Sequence, residues 1–383
     1  MNARQKFMNV MELKPGAPVP EWEFAYWYDT IQRWYKEGLP KSYPPMRMEN
    51  HQWVSGEACP GCEKDIHNFF RSDEGVRGVP VYTGPFPVFQ EIVYEQDDEH
   101  IIYLRGDGKV VKTRTDGCSM PNFLEYPIKN EKDFDEIKER FDPKDPDRFP
   151  DNWAMIVKDF SNRDYPLQLG GGNFAGFYSI IRELVGVEES LFLFYDNPGF
   201  VTRILDHFLE FYITIYSRVL EEIEVDYILI WEDMAYKGGP LVSPSLFQKY
   251  ILPYYKDFTA HMRGLGVRHF IVDTDGNFEV LIPLFLEGGV TGFYPFEVQA
   301  GMNIEKIRED FPDLVIMGGI DKKALSLGKE AIDGEVAKAE RMLAKGGYLP
   351  YVDHMVPPDV SFENYCYYRH QMKRVLASNS CRT

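Results

Sequence analysis

The stretch His269-Phe270-Ile271-Val272-Asp273-Thr274-Asp275-Gly276-Asn277 indicates the fold of this chain most directly. Its first four residues form a largely apolar run that is typical of a buried strand. Two carboxylates, a glycine and an amide follow, and buried carboxylates are costly unless something pairs with them. In proteins that alternate strands and helices, ligands bind at the carboxyl ends of the strands. We therefore expect Asp273 and Asp275 to lie in a functional site.

From about residue 165 onward, strand-like and helix-like segments alternate. Apolar runs predict strands at Leu167–Gly170, Tyr227–Trp231, His269–Val272, Thr291–Tyr294, Leu314–Met317 and Gly347–Tyr351. Helices are predicted between them at Val201–Glu224, Pro244–Leu265, Phe278–Glu287, Ile304–Asp310 and Lys329–Lys345. This alternation is typical of a parallel sheet. With a further strand at Pro20–Tyr26, it favours an α/β fold of the (β/α)8 TIM-barrel type over an open sheet.

The first part of the chain is less regular. Residues 28–38 are predicted to form a helix that ends near Gly38. Residues 89–116 alternate like a β-hairpin around a Gly106-Asp107-Gly108 turn. We therefore interpret residues 1–383 as one barrel domain with an N-terminal extension and a β-hairpin insertion at 89–116.

Composition excludes several classes of function. The chain has 383 residues, 44% of them hydrophobic and 27% charged, and its net charge is −18. Because it is acidic and has no block of like charges, we expect it to bind neither nucleic acid nor an anionic membrane. It shows no signal-peptide pattern and no apolar stretch of about 20 residues, so we expect a cytoplasmic protein. Five cysteines, an odd number at low density, make a disulfide framework improbable.

Polar side chains also follow other predicted strands, including Glu232, Glu297 and His354. In a barrel, all of them would face one mouth, and such carboxylates repel one another unless they are protonated, paired or metal-bound. Oxygen and imidazole donors suit zinc or another divalent ion. We therefore predict a catalytic site that contains Asp275, His354, Asp273 and Glu232, with a metal held by Asp273, Asp275 and His354. The alternative is a set of strand-end caps that bind backbone amides.

The chain is rich in aromatic residues, with 24 Tyr and 27 Phe. A surplus of tyrosine and tryptophan suits a pocket for a planar organic ligand. Candidate substrate-binding residues are Tyr26, Trp231, Asn173, Glu297 and Asn277. Asn173 follows three glycines, which favour close packing beside a ligand mouth. Cys59-Pro60-Gly61-Cys62, with His51 and His67 nearby, matches no standard zinc-finger spacing and is interpreted as a surface loop.

The block from Ser243 to Asn364 resembles the uroporphyrinogen decarboxylase superfamily. The matching stretches are GGPLVSPSLFQKYILPYYK, DTDGN, FYPFEVQAGMN, LVIMGGIDKKAL and DHMVPPDVSFENY. The segment VPEWEFAYWYDTIQRWYKEGLP matches the opening of that superfamily more loosely. The resemblance covers most of the chain. It implies a (β/α)8 barrel with its site at the carboxyl ends of the strands, and a homodimer is usual in such families.

The superfamily has two branches, and this chain resembles the methyltransferase branch more. Decarboxylases carry an arginine-rich opening motif, where this chain has Glu21 and Glu23. Methyltransferases that act on coenzyme M bind zinc through His-x-Cys-Gly-Asn and a later cysteine ten residues before an asparagine. Here Asp273 and Asp275 replace the histidine and first cysteine, and His354, ten residues before Asn364, replaces the last. This harder donor set suits an oxygen-bearing substrate better than a thiol.

The resemblance therefore implies a corrinoid-dependent methyltransferase of the O-demethylase type. Such an enzyme moves a methyl group from a small donor, here most simply a methoxylated aromatic, to cobalt. The corrinoid (cobalamin) would be carried by a partner corrinoid protein. Two alternatives remain open. One is a metal-independent decarboxylase, and the other is a corrinoid- or tetrapyrrole-binding protein without catalytic activity.

Overall fold

The computed structural model of the chain describes residues 1–42, 48–49, 52–53, 60–115 and 120–380. The described residues form two compact units. The first unit comprises the described parts of 1–75 and 292–383, and the second those of 76–115 and 119–291. The single domain over residues 1–383 stays a prediction.

The strands, in chain order, are β1 Met48–Glu49, β2 Gln52–Trp53, β3 Arg77–Gly78, β4 Ile92–Gln96, β5 His100–Leu104, β6 Val110–Arg114, β7 Asn122–Glu125, β8 Leu167–Gly170, β9 Tyr227–Trp231, β10 Ala235–Tyr236, β11 Gly239–Pro240, β12 Phe270–Asp273, β13 Gly292–Tyr294, β14 Val315–Met317 and β15 Tyr348–Leu349. The α-helices are α1 Ala3–Met11, α2 Tyr28–Glu37, α3 Pro60–Phe70, α4 Glu131–Ile137, α5 Trp153–Phe160, α6 Phe177–Val185, α7 Val187–Asp196, α8 Pro198–Leu220, α9 Pro244–Leu246, α10 Leu252–Gly264, α11 Ile282–Glu287, α12 Ile304–Asp310, α13 Ala324–Leu327, α14 Lys329–Leu343 and α15 Phe362–Ser380. Shorter helical turns occur at Lys138–Phe141, Pro146–Arg148, Glu279–Leu281 and Val298–Ala300. Across the described part of the chain, no helix is both long and apolar enough to cross a membrane.

In the second unit, four parallel strands lie in the order β3, β8, β9, β12. Leu169 pairs with Ile228, and Ile228 pairs in turn with Phe270. Residues 227–230 and 270–272 are buried, as expected for parallel strands that helices cover on both faces. The predicted bounds of β8 and β9 are confirmed.

The second unit also carries the predicted insertion. Strands β4 to β7 form a four-stranded antiparallel sheet, two strands more than a simple hairpin. Ile101, Tyr103 and Val111 form its small core, against which Phe123 packs. The turn at residues 105–109 connects β5 to β6, where the glycine-rich motif predicted it.

In the first unit, β13, β14 and β15 are parallel and adjacent. The strand predicted at Pro20–Tyr26 does not form, and only Tyr26 makes a parallel bridge, to Val356. The seven parallel strands, four in one unit and three in the other, confirm the α/β class. A closed eight-stranded barrel is not confirmed.

Local signals explain several helix ends. Helix α2 ends at Gly38, whose φ of 113° is a left-handed conformation that favours glycine. The Ser243 hydroxyl accepts a hydrogen bond from the amide of Leu246, and Pro244 begins the helix, as predicted. The continuous helix predicted at Pro244–Leu265 is interrupted by a π-helical segment at Phe247–Ile251.

Candidate functional site

Glu232, a predicted catalytic residue that follows β9, is fully buried. Its carboxylate accepts hydrogen bonds from the amides of residues 177–179, at 2.8 to 2.9 Å. The hydroxyl of Tyr255 donates a fourth, at 2.5 Å. Burial raises the pKa of Glu232, while the Tyr255 hydroxyl and the three amides oppose that shift. The carboxylate therefore anchors the N-terminus of α6, where unpaired amides attract negative charge.

Gly176 makes this anchor possible. A methyl group added at Gly176 would lie 2.2 Å from the carbonyl oxygen of Trp231 and 3.0 Å from the carboxyl carbon of Glu232. Any side chain would push the first turn of α6 away from the carboxylate. This contact could not be predicted from local pattern, since Gly176 and Glu232 are far apart along the chain.

Trp231, a predicted substrate-binding residue, is half-buried beside Arg182. The guanidinium carbon of Arg182 lies 4.8 Å from the centre of the Trp231 ring. The same guanidinium donates to the carboxylate and the carbonyl oxygen of Asp233, both at 2.7 Å. Asp233 has a φ of 43°, an unusual value for a residue other than glycine. Arg182 and Asp233 are thus part of this strand end, and Arg182 was not among the predicted site residues.

The loop that contains the DTDGN motif, residues 273–277, lies next to this strand end. The carbonyl oxygen of Asp273 accepts hydrogen bonds from the amides of Glu232 and Asp233, at 2.9 and 3.3 Å. The side chains of Asp273 and Asp275 are both half-buried. The amide of Asn277 donates to the carbonyl oxygen of Tyr236, at 3.0 Å. Asp273, Asp275, Asn277, Trp231 and Glu232 are therefore brought together on two neighbouring loops of the second unit.

Gly276 lets these two loops approach each other. Its φ is 75°, and an added methyl group would lie 2.5 Å from backbone atoms of Ala235 and Tyr236. Buried Thr274 adds a further link, because its hydroxyl accepts from the amide of Met234 at 3.0 Å. The DTDGN motif is thus a rigid strand-end turn whose glycine is required by the backbone.

Asn173 lies beside a buried ion pair. Its side-chain amide is 3.4 Å from Oε2 of Glu183, and that carboxylate pairs with the ammonium of Lys109. Lys109 comes from the tip of the inserted sheet and is fully buried. Asn173 therefore helps to hold the insertion against α6. Its predicted contact with substrate stays a prediction.

In the first unit, the predicted ligand-binding residue Tyr26 is a core residue, with 1% of its surface exposed. Its hydroxyl lies 2.7 Å from that of Tyr365, and its ring packs edge-on against Trp34. Tyr26 therefore supports the opening segment from inside.

His354 lies in a group of rings that we call the aromatic cluster: Phe24, Tyr294, Tyr351 and His354. The ring centre of Phe24 is 5.3 Å from that of His354, 5.9 Å from that of Tyr294 and 6.1 Å from that of Tyr351. Phe24, Tyr294 and His354 are half-buried. The cluster combines ring faces with one imidazole at the strand ends of the first unit. An aromatic ligand and a proton transfer both suit such a site.

Glu23 immediately precedes Phe24, a member of this cluster, in the chain. Its Oε1 accepts hydrogen bonds from the amides of Val352 and Phe24, at 2.8 and 3.1 Å. Its Oε2 accepts from the hydroxyl of Tyr365 at 3.2 Å. Burial raises the pKa of Glu23, and the positive charge of Arg369 opposes the shift. From the sequence, Glu23 is predicted only to belong to an acidic opening segment.

Asp353, next to His354, joins two neighbouring loops. It is fully buried and accepts hydrogen bonds from the amides of Val298 and Lys322, at 2.8 and 3.0 Å. Burial raises its pKa to about 6, although Lys322 opposes the shift. The ammonium of Lys322 also donates to Glu297 at 3.0 Å, which places that predicted substrate-binding residue in an ion pair.

The side chains predicted to bind a metal ion are Asp273, Asp275 and His354. Among the residues that the structure describes, no three histidine, cysteine, aspartate or glutamate side chains are gathered as metal ligands. The donors proposed from sequence belong to different units, Asp273 and Asp275 to the second and His354 to the first. We therefore assign no reaction step to a metal ion, and the predicted grouping stays a prediction. The region around Cys59 and His51 lies outside the described residues, and Cys62 lies in α3.

Comparisons with known proteins identify the family. The model of the uroporphyrinogen decarboxylase family matches residues 108–374, so the chain belongs to that family. No curated protein matches the chain in sequence.

Two solved structures show a distant similarity. One is a Listeria monocytogenes protein assigned as a vitamin-B12-independent methionine synthase, 12% identical, with a TM-score of 0.34 over 58% of this chain and 69% of that one. The other is a B12-independent methionine synthase from Shewanella sp. W3-18-1 in complex with selenomethionine, 11% identical, with a TM-score of 0.34 over 76% of this chain and 74% of that one.

Proposed function

We propose that this chain is a methyltransferase that moves a methyl group from a small methoxylated aromatic compound to the cobalt of a corrinoid carried by a partner protein. The observation that carries the proposal is the aromatic cluster, in which Phe24 packs 5.3 Å from the imidazole of His354. Ring faces suit a flat aromatic donor, and an imidazole near neutral pH suits proton transfer.

The pairing of three buried or half-buried cations supports an uncharged donor. Arg182 is paired with Asp233, Lys322 with Glu297, and Arg369 with Glu21. These cations are already neutralised, so each is a weaker partner for a substrate carboxylate. A decarboxylase that binds polycarboxylic acids requires cations directed at its substrate. The paired cations therefore favour methyl transfer over decarboxylation.

In the proposed reaction, the reduced cobalt(I) of the partner is the nucleophile and the methyl carbon is the electrophile. The bond between oxygen and the methyl carbon breaks, and its electron pair stays on oxygen. The new bond forms with the electron pair of cobalt(I), which becomes cobalt(III). A proton must reach the phenolate oxygen, because a neutral phenol is a better leaving group than its anion.

We assign this proton to the imidazole of His354. The catalytic roles predicted for Asp273 and Asp275, which lie half-buried on one rigid turn of the second unit, stay predictions. Glu232 is assigned to the support of α6, since its carboxylate already accepts four hydrogen bonds.

The second candidate is a decarboxylase, which the family match itself favours. It would release carbon dioxide from a carboxylated ligand without cobalt. The two candidates differ in their products, so one assay separates them.

The test is an anaerobic assay of the full-length chain with cob(I)alamin and a panel of methyl donors. The panel includes 2-methoxyphenol, 3-methoxybenzoate and methanol. We expect the cob(I)alamin absorbance to decay to that of methylcobalamin with 2-methoxyphenol, more slowly with 3-methoxybenzoate. No methylcobalamin with any donor, together with carbon dioxide release from a carboxylated ligand, would overturn the proposal in favour of the decarboxylase.

A further inference from the structure

A network of polar side chains joins the opening segment of the first unit to its last helix, α15. Tyr365 and Arg369 lie one turn apart on α15, and both are buried. Arg369 donates to the Tyr365 hydroxyl at 3.2 Å and to Glu21 at 2.6 Å. Tyr365 in turn donates to Glu23. Burying so many polar groups is costly unless each is paired, so the network indicates a demand for fixed geometry.

Glu23 is the member of this network that faces the loop of His354. That loop runs from Val352 to Val356, and both of its ends are tied to residues 23–27. At the far end, the amide of Val356 donates to the carbonyl oxygen of Ala25 at 2.9 Å. At the near end, the amide of Val352 donates to the side chain of Glu23 at 2.8 Å. The far end is held in addition by the Thr30 hydroxyl, which donates to the carbonyl oxygen of Val356 at 2.8 Å. Asp353 ties the near part of the loop to Val298 and Lys322, but the bond from Val352 to the opening segment depends on the side chain of Glu23 alone.

Glu23 also fixes the ring that packs on His354. The same oxygen that binds Val352 accepts the amide of Phe24. The Phe24 ring then packs 5.3 Å from the imidazole, with 32° between the ring planes. Loss of the carboxylate would release the amide of Val352 and the backbone of Phe24 together, and both flank His354.

A carboxylate suits this position better than an amide. Glu23 accepts three hydrogen bonds and donates none. Glutamine has one acceptor oxygen, and its amide group would meet the Tyr365 hydroxyl as a donor. Glutamine therefore retains the two backbone contacts but disturbs the contact with α15.

We infer that Glu23 is a positioning residue, which holds the imidazole of His354 against Phe24 so that it can deliver a proton to the leaving oxygen. This inference rests on the proposed methyl transfer for its catalytic meaning. The positioning itself is independent of any substrate, so it can be tested separately.

The test uses the Cε1–H resonance of His354 in the full-length chain, assigned by its absence from His354→Gln. The Phe24 ring displaces this resonance while it packs on the imidazole. We expect Phe24→Leu to remove the displacement and Glu23→Ala to reduce it in the same direction. The double variant should show no more change than Phe24→Leu alone. Glu23→Gln should restore most of the displacement, because it retains both backbone contacts.

The matched control is Glu305→Ala, which removes an exposed ion pair with Arg341 in the same unit. It should leave the His354 resonance unchanged, as Glu23→Ala should leave that of exposed His261. A His354 resonance that is unchanged in folded Glu23→Ala would overturn the inference. If Glu23→Ala does not fold, an unchanged resonance in Phe24→Leu would overturn it as well.

Methyl transfer to cob(I)alamin provides the second readout. In Glu23→Ala we expect kcat to fall by roughly ten- to a hundredfold, with KM for 2-methoxyphenol changed much less, because a misplaced catalytic group slows the chemical step. A rise in KM by the same factor, with kcat unchanged, would contradict a positioning role. Absence of activity in the unaltered protein would refute the proposed function, while the resonance would still decide the positioning.

Discussion

The hydroxyl oxygen of Tyr255 lies 2.5 Å from Oε1 of Glu232, inside the second unit. Together with three backbone amides, it saturates a carboxylate that has no exposed surface. From the sequence, Glu232 is one of several acidic residues at strand ends and a candidate for catalysis. The structure indicates that it works as a helix anchor.

A substitution separates these two interpretations. Glu232→Gln is expected to lower the free energy of unfolding by about 2–3 kcal/mol, because its amide group would face backbone donors. Tyr255→Phe should cost less, about 1–2 kcal/mol, since it removes one donor only. Urea denaturation measures both. Retained stability with abolished methyl transfer in Glu232→Gln would instead support a catalytic carboxylate.

Gly176 gives a second test of the same anchor. Gly176→Ala should destabilise the protein by about 1–3 kcal/mol, because the added methyl group overlaps the carbonyl oxygen of Trp231. The matched control is Gly334→Ala in the exposed part of α14, where an added methyl group meets nothing within 4 Å. That control should gain about 0.5–1 kcal/mol from helix propensity. Equal effects at the two positions in thermal unfolding would contradict the packing described here.

The buried ion pair between Lys109 and Glu183 is expected to hold the inserted sheet in place. Lys109→Met should lower the free energy of unfolding by about 3 kcal/mol, because it removes the nearest cation from the buried Glu183 carboxylate and leaves it the more distant Arg182, at 3.6 Å. The double variant with Glu183→Gln should recover part of that loss. Lys129→Met, which breaks an exposed pair with Glu125, is the control and should change stability little. Denaturant titration of the unaltered protein, Lys109→Met, Glu183→Gln and the double variant measures the coupling, and additive losses would argue against it.

His207 makes stability depend on pH. Burial lowers the pKa of its imidazole, and within the described residues its Nε2 atom is buried without a hydrogen-bond partner. The unfolded chain takes up a proton near the ordinary pKa of about 6.5, whereas the folded protein resists it to lower pH. The contribution of neutral His207 to the free energy of unfolding is therefore full above about pH 6.5, and it is lost as the pH falls toward the lower pKa of the folded protein.

We expect the unaltered protein to lose more stability between pH 7.5 and 5.5 than His207→Gln does. Urea denaturation at both pH values measures the difference, with His261→Gln as the exposed control. The same loss in His207→Gln and in the unaltered protein would show that another group is responsible.

The elements that were predicted correctly are those that local sequence patterns determine. The apolar runs of β8 and β9 and the capped helix Ile304–Asp310 have their predicted bounds, because burial and capping residues are local signals. The elements that were predicted wrongly are those that tertiary contacts determine. The predicted Pro20–Tyr26 strand does not form, and the amide of Glu21 is instead bound by the side chain of Asp73.

The interruption of the predicted helix at Pro244–Leu265 has a recognisable cause. Pro253 lacks the amide that a continuous helix would need there, and the π-helical segment ends just before it. The predicted helix ran through that proline without a break.

The site shows the same division. DTDGN was correctly placed after a buried strand, since both the apolar run and the glycine are local signals. The roles of Tyr26 and Glu23 could not be inferred, because both depend on Tyr365, which is more than 330 residues away. Local sequence pattern carries no signal for a contact over that separation.

Methyl transfer from the donor to cobalt is tested most directly by following one labelled methyl group. Full-length protein is incubated without oxygen with cob(I)alamin and 2-methoxyphenol that carries ¹³C in its methyl group, and both products are quantified by mass spectrometry. We expect one labelled methylcobalamin for each 1,2-dihydroxybenzene formed, with strong loss in His354→Ala and none in His261→Ala. Unlabelled cobalt and unreacted 2-methoxyphenol, under conditions where the protein is folded, would contradict it.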